Sequence, residues 1–599
     1  MMEALKRPRQ NKLGVSTSLV LFSLWLLSLL GGARAVLTAE QLQELRRFVN
    51  TTLQCKGDPA FALSIVHDGN VLLSEGYGIA DLETQREVTS STAFPIGSLT
   101  KGFAAVLLAQ LLAGKNITWT TPITRYLDQS FRFADDILNK EVSLEDILSH
   151  RTGLESVLLP LFMGWPENKD RTEVIRALMK GLRTKAPLRT SFSYNNYLYG
   201  LAGVIAEQLS GAPRRSWEDL IAQFILQPLR LANTGFVQDV QEGDLGGFAF
   251  PYVKIGGEKR LVDMIYTTAK QTMHLAAAGA MYSTADDMAK WLNFLISGGK
   301  DESGNFLVGD HMLFGDIFND HMHNPQPFSS VYSFSKPSYP FEDYSHSYGF
   351  GWLDARYRGF RKIWHSGSIS TYMAVLYIFP HMRTGLFSVT SSNDGDSAAA
   401  LYSITSYASD LLLGERTWLN ESTVCDFKAK WSQEMQVNFL SEFNSSRPLE
   451  AYVGTYIAEP WPTIEVYVNE TDTMLHMTMG AIGHLLLYPT AHADTFLGKY
   501  LDYNFYLSES DYFQMAATIQ FKQSTDGPTN IVDTLLLPPE NSPMIYRLLT
   551  AQGGTWETGT VLPATECATM TRSGHPQLQS INLLTFTVFI INIITFATW

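Results

Sequence analysis

Ser98 and Lys101 lie three residues apart at the start of the most helix-like stretch of the chain, Gly97-Ser98-Leu99-Thr100-Lys101-Gly102-Phe103-Ala104-Ala105-Val106-Leu107-Leu108. Residues at that spacing share a helical face, so hydroxyl and amine can meet. A serine hydroxyl is a weak nucleophile until a neighbouring base takes its proton. A lysine desolvated in a pocket has a lowered pKa and can share in that work. Ser98 would also sit at a helix N-terminus, where outward N–H groups favour developing negative charge. S-x-x-K arises often by chance, and a capping serine beside a surface lysine would explain it equally well on its own.

Two further segments change that balance. Ser193-Tyr194-Asn195-Asn196 carries a Y-x-N element in a loop that enters a helix over Leu198–Leu209. Trp364-His365-Ser366-Gly367-Ser368 precedes the strand-like run Tyr372–Ile378. With S-x-x-K, in this order, the chain resembles the serine beta-lactamase/penicillin-binding-protein-like superfamily, whose motifs are S-x-x-K, Y-x-N and K/H-[ST]-G. Gly76-Tyr77-Gly78-Ile79-Ala80-Asp81, Leu144–Leu154 (with Ser149-His150-Arg151-Thr152-Gly153) and Ala278–Met288 fit the class C beta-lactamase/esterase/D-peptidase (peptidase S12) branch. The likeness runs from about Thr38 to about Gly414.

The resemblance implies roles. Ser98 would form an acyl-enzyme. Tyr194 would exchange the proton, its phenol pKa lowered by the neighbouring cation. Asn196 would hydrogen-bond Lys101 and the substrate amide. The N–H groups of Ser98 and Ser368 would form an oxyanion hole, Ser368 lying on an edge strand. Gly367 would let the backbone come close to substrate. Singly, Tyr194 reads as a core aromatic, Asn196 as a helix N-cap and His365 as a strand-end polar group. His365 departs from the lysine usual in beta-lactamases. An ordinary imidazole is mostly uncharged at neutral pH, a weak and partly exposed clamp for a carboxylate. That favours small ester or amide substrates over antibiotics, as in esterase and D-aminopeptidase-type members.

These residues need a scaffold. Residues 36–415 alternate strand-like and helix-like blocks: a helix over Thr38–Leu53, strands over Ala60–Val66 and Val71–Tyr77, then helices to Gly211. Strands return at Met373–Phe379 and Gly385–Ser392, with a closing helix over Tyr402–Leu413. This is an α+β domain, an antiparallel sheet with flanking helices and a helical insert. Asp301–Ser347 reads as an aromatic-rich loop of a length usually tied to binding, and its His311, His321 and His323 as solvated. A linker follows at 416–447. Alternation in Thr463–Val468, Met474–Met479, His484–Pro489, Asp494–Leu497 and Ile531–Leu536 predicts a small β-barrel or sandwich over 448–550. It resembles the lipocalin-like modules that accompany some family members.

Composition bounds the setting. The chain has 599 residues, 45% hydrophobic and 17% charged, enough for a sizeable core. Its formal charge of −14 argues against a nucleic-acid partner. Residues 1–35 read as a secretory signal, with basic Lys6, Arg7, Arg9 and Lys12, apolar Leu19–Leu30 and Ala33-Arg34-Ala35 for cleavage; a retained signal anchor is the alternative. Sequons at Asn50, Asn116, Asn420, Asn444 and Asn469 suit an exported glycoprotein. Cys55, Cys425 and Cys567 match no zinc spacing, and no metal or cofactor is expected. Cys55 and Cys425 flank the hydrolase-like region, whose ends lie close together in this fold family, so the resemblance favours their pairing. After the spacer 551–580, the apolar tail Ile581–Trp599 fits a GPI-attachment signal better than a membrane span, since no basic residue follows it. A secreted or surface-attached serine hydrolase follows from this reading. An extracellular-matrix glycoprotein of the gigasin shell-matrix type, keeping the fold without needing turnover, is the alternative.

Overall fold

The computed structural model describes residues 37–548 apart from 158, 212, 263–271, 324–342, 393, 428–442, 506–507, 509–516, 524–533 and 538–543. The expected signal, the spacer and the apolar tail lie outside the described residues. Among those described, no helix is long and apolar enough to cross a membrane.

A nine-stranded antiparallel sheet forms the framework. Its strands are β1 (Ala60–His67), β2 (Asn70–Asp81), β3 (Arg86–Glu87), β4 (Met322–His323), β5 (Asp343–Tyr348), β6 (Leu353–Tyr357), β7 (Phe360–Ile369), β8 (Tyr372–Phe379) and β9 (Thr384–Thr390). They lie in the order β3-β2-β1-β9-β8-β7-β6-β5-β4, so β1 joins the C-terminal strands across the whole domain. β1, β8 and β9 are buried on both faces and read as continuous apolar runs, because helices cover each side.

Helix α1 (Ala39–Lys56) and the last helix of the domain pack on one face. Thr38 and Gln41 close a capping box at the start of α1, and Gly57, at φ +66°, ends it. Against the other face lies the helical body built around α2 (Thr100–Leu112), α3 (Asn196–Leu209) and α4 (Ala285–Ile296). α2 is buried on almost every side, which its near-continuous apolar sequence requires. The closing helix α5 (Gly395–Leu413), capped by Asp394, begins seven residues before its expected start. Cys55 and Cys425 are bonded, with Cα atoms 5.6 Å apart, tying α1 to the segment after α5. Replacing both by serine should lower stability by about 2–4 kcal/mol and leave the hydrolase site intact. Chemical denaturation with and without reductant tests this, and equal midpoints for the two proteins would refute it.

The expected loop at Asp301–Ser347 is in part regular structure: a helix over His311–Asp316, then β4 and the start of β5. His321 corrects the solvated reading. It stacks on Phe350 with ring centroids 4.0 Å apart, with Nδ1 3.0 Å from Glu145 Oε1 and Nε2 2.7 Å from the Asp316 carbonyl. A lone-loop reading failed because the partners, Glu145 and Phe350, are distant in sequence. His311 is exposed and lies against Phe306, while the side chain of His323 lies outside the described residues.

The C-terminal strands close into an eight-stranded antiparallel barrel: β10 (Gly454–Ile457), β11 (Ile464–Val468), β12 (Leu475–Met479), β13 (Gly483–Pro489), β14 (Thr495–Tyr500), β15 (Ala517–Lys522), β16 (Thr534–Leu537) and β17 (Met544–Leu548). Alternate residues Leu475, Met477, Met479, Leu485 and Leu487 fill its interior. The barrel docks on the hydrolase body at the β12–β13 turn, where the N–H groups of Ala481 and Ile482 donate to the Met163 carbonyl at 2.8 and 3.1 Å. The side chains of Val157 and Met163 join the barrel core. Gly480 permits this approach: a Cβ there would lie 2.2 Å from the Gly164 carbonyl oxygen. The sequons at Asn50, Asn116, Asn420 and Asn444 are exposed and Asn469 is half-buried.

Candidate active site

Ser98 lies in the 3-10 turn Gly97–Leu99 that leads from the short strand Phe94–Pro95 into α2. It makes no capping hydrogen bond, so the capping explanation for it is set aside. One turn on, Lys101 is completely buried. Its Nζ lies 2.9 Å from Ser98 Oγ, 2.8 Å from Asn196 Oδ1 and 2.7 Å from the Ala278 carbonyl oxygen. The faces of Tyr194 and Tyr199 stand 4.8 and 5.2 Å from it. Burial drives the amine well below the ordinary lysine pKa.

The partners reveal how that amine is held. Asn196 Oδ1 and the Ala278 carbonyl can only accept. The Lys101 amine donates to both, and its third direction points at Ser98 Oγ. An unprotonated amine held in this way would turn its lone pair toward the Ser98 hydroxyl, as a base for the serine proton must.

Tyr194 donates its O–H to Ser98 Oγ at 3.0 Å. The expected lowering of its pKa is reversed: burial raises the phenol well above its ordinary value. Burial is the larger cause, and the hydrogen bond with Ser98 only partly offsets it. Tyr194 is therefore a proton donor in the resting site.

Asn196 is the first residue of α3, and the cap is its neighbour Asn195, whose side chain accepts from the N–H groups of Tyr197 and Leu198. The capping reading belonged to the adjacent asparagine. Asn195 Nδ2 also donates to the Glu155 carbonyl at 2.8 Å, and Tyr197 Oη donates to the Val157 carbonyl at 2.6 Å. Through these bonds the Y-x-N turn is fixed to the segment that carries the barrel.

β7 is an interior strand, which corrects the edge-strand expectation. β6 pairs with it only as far as Trp364, however, whereas β8 pairs on to Ile369. His365–Ile369 therefore has no β6 partner on one side, and the Ile96–Ser98 backbone packs there. Gly97, at φ +51°, would place a Cβ 2.8 Å from Ser368 N, and a Cβ on Gly367 would lie 1.9 Å from the Ile96 carbonyl oxygen and 3.2 Å from Ser98 N. Two glycines facing one another let the Ser98 and Ser368 amides come together, so Gly367 makes room first for protein backbone. Gly367→Ala should force these segments apart and lower kcat by about 10²–10³ without a matching change in KM, the loss typical of a damaged oxyanion hole. Steady-state kinetics on an activated ester checks it, and an unchanged kcat would exclude this amide pair.

His365 is fully buried and is not the partly exposed clamp expected. Its Nδ1 lies 2.5 Å from the Ser366 carbonyl, which can only accept, so Nδ1 carries the proton and Nε2 accepts the Tyr348 hydroxyl at 2.9 Å. Burial, reinforced by Lys101, pushes its pKa down to about 3. The imidazole is neutral across the physiological range, and a lysine in its place would enter a desolvated position beside Lys101.

Sequence reasoning noted His150 and Tyr348 only in passing or not at all. His150 is fully buried, with φ +57°, and its ring lies 4.3, 5.2 and 5.1 Å from those of Tyr194, Tyr199 and Tyr348. Its Nδ1 accepts from the Asn195 N–H at 3.1 Å, which holds the turn carrying Tyr194 and Asn196. The stretch Ser149–Gly153 carried the signal. Tyr348 had none, because its role depends on β5 and β7 sharing a sheet.

Comparison with known proteins follows the same lines. The Beta-lactamase family profile matches residues 45–408, more than half of the chain. Unguisins hydrolase ungD of Aspergillus violaceofuscus is 25% identical over 458 residues, covering 73% of this chain and 78% of that protein. D-aminopeptidase of Brucella anthropi is 27% identical over 267 residues, 44% of this chain and 47% of the enzyme. Gigasin-6 of Magallana gigas is 25% identical over 261 residues, 41% of this chain and 82% of gigasin-6. The octameric penicillin-binding protein homologue from Pyrococcus abyssi shares the fold, with a TM-score of 0.51 at 20% identity, covering 84% of this chain and all of that one.

Proposed function

The chain belongs to the beta-lactamase family, and on that premise we propose that it is a serine hydrolase that cleaves small ester or amide substrates through an acyl-enzyme on Ser98. In this reading neutral Lys101 takes the Ser98 proton as Oγ attacks the carbonyl. The oxyanion is held by the Ser98 and Ser368 amides. The proton passes to the leaving group through Tyr194, whose hydroxyl already contacts Ser98 Oγ. Asn196 fixes Lys101 and offers its amide to the substrate. Water then attacks the acyl-enzyme with Lys101 again as base. The observation that carries the proposal is the Lys101 hydrogen-bond set, two obligate acceptors and one hydroxyl around a buried amine.

Neutral His365 offers no permanent cation for a substrate carboxylate, which supports esters and uncharged amides over penicillins. The name of the Brucella relative, a D-aminopeptidase, supports amide chemistry, and that of the Aspergillus relative, an unguisins hydrolase, supports hydrolysis. Export as a surface or extracellular glycoprotein belongs to the same proposal, supported by the Cys55–Cys425 bond and the exposed sequons. So does a lipocalin-like character for the barrel, supported by its eight up-and-down strands. The test is a substrate panel on the purified protein: short-chain p-nitrophenyl esters and D-amino-acid amides should be turned over and penicillin G only poorly. Efficient penicillin hydrolysis without esterase or amidase activity would overturn the substrate class.

A further inference from the structure

A second cluster of chemistry-bearing side chains lies on the outside of the barrel, away from Ser98. Alternation along β11, β12 and β13 sends Val466, Met477 and Leu485 inward, and Tyr467, His476 and His484 outward. Tyr467 pairs directly with His476 across two strands, and His484 lies diagonally beyond on the third. His476 Nδ1 and His484 Nε2 face each other at 2.8 Å. The opposite nitrogen of each ring is held by a carboxylate: His476 Nε2 lies 2.9 Å from Asp472 Oδ2, and His484 Nδ1 2.5 Å from Asp502 Oδ2. The Tyr467 hydroxyl stands 3.3 Å from His484 Nε2.

A carboxylate accepts, so each ring donates N–H outward to its aspartate. The two remaining nitrogens then face each other with the Tyr467 hydroxyl beside them, and this gap suits a positive centre. A shared proton could do this, but it would use only the two nitrogens. We propose that this is a divalent transition-metal site, of the zinc class, with His476 Nδ1 and His484 Nε2 as ligands, Tyr467 as a third donor and water completing the shell. Imidazole is a preferred ligand for such ions. A carboxylate on the far nitrogen of each ligating histidine fixes tautomer and orientation, as around known zinc ions. Tetrahedral zinc holds its nitrogens at about 2.0–2.1 Å, which places them roughly 3.3 Å apart, a short opening from the present distance. The two aspartates balance the charge of the dication. The His476 side chain is 5% exposed while that of Asp502 is 60% exposed, so the cluster has a rigid floor and an open mouth.

The experiment is calorimetric titration of zinc chloride into the tag-free, chelator-treated full-length protein, with melting temperature as a second readout. One zinc ion should bind per chain and raise the melting temperature. His484→Gln should weaken binding at least about tenfold and remove the thermal shift. Asp502→Asn, which keeps both ligands, should weaken it by about 10–100-fold. Absence of zinc binding to the wild-type protein would overturn the site, leaving a shared proton between the histidines. So would binding that neither substitution weakens, which would belong elsewhere on the chain. Should His484→Gln not fold, Asp502→Asn decides alone, and unchanged affinity overturns the site.

Discussion

Ser98→Ala is expected to abolish covalent labelling by a fluorophosphonate or activated-ester probe and to lower kcat by about 10⁵–10⁶, the scale seen when a nucleophile is removed from a serine hydrolase. Among the described residues, no second hydroxyl can stand in. Tyr194 is the other hydroxyl within hydrogen-bonding distance of Ser98 Oγ, and burial holds its phenol protonated. The fold should survive. Ser98 caps nothing, and Lys101 keeps Asn196 and Ala278 as partners. What is lost is the acceptor for the Tyr194 O–H, a buried donor left unsatisfied at a cost of about 1–3 kcal/mol. Intact-protein mass spectrometry after labelling reads the result. An adduct that persists in Ser98→Ala, at any site in the hydrolase domain, would remove Ser98 from its role and favour a fold kept without turnover.

Lys101→Met and Tyr194→Phe should each slow acylation by about 10²–10⁴, and the double substitution should lose little more than the worse of the two. Both side chains contact the same oxygen, at 2.9 and 3.0 Å, and act on the same proton. Removing either one breaks the path. Losses that simply multiply would mean two independent contributions. The pH profile separates the roles. Acylation needs the unprotonated amine, so the rate should rise with pH through the Lys101 titration and then level off. Burial lowers that titration well below the ordinary lysine range, so this limb should lie at lower pH than an ordinary lysine would give. Lys101→Met should remove this limb, whereas Tyr194→Phe should keep it and lower the plateau. A limb that disappears in Tyr194→Phe instead would make the phenol the base.

The sequence by itself determined the residues that meet and the elements that carry them. S-x-x-K puts Ser98 and Lys101 on one face across the 3-10 turn and the start of α2, and Asn196 and Ala278 then hold the amine 2.9 Å from the hydroxyl. Period-two alternation marked β11, β12, β13, part of β14 and β16, because a half-buried strand must alternate, but it did not mark β10, β15 or β17. Apolar runs gave β1, β8 and β9, because a strand covered on both faces has no polar side to show. Thr38 marked the start of α1 through a capping box that is local in sequence, while the helix runs past the expected end at Leu53 to Lys56.

Only the tertiary structure decided the protonation states and the oxyanion edge. Whether Lys101 is charged depends on how much water the packed body excludes, and no local pattern carries that. Read locally, its cation should have lowered the Tyr194 pKa; packed, both groups are desolvated, and the direction reverses. His365 is neutral for the same reason, and its tautomer follows from Ser366 and from a Tyr348 that lies on another strand. The free half of β7 arises because β6 stops at Trp364 while β8 continues, a matter of strand lengths in neighbouring positions of one sheet. The histidine pair on the barrel needs the register of three strands at once. Contacts within one turn or one strand are set by backbone geometry and can be read from spacing. Desolvation and register are sums over distant segments, and they exist only once the chain has closed on itself.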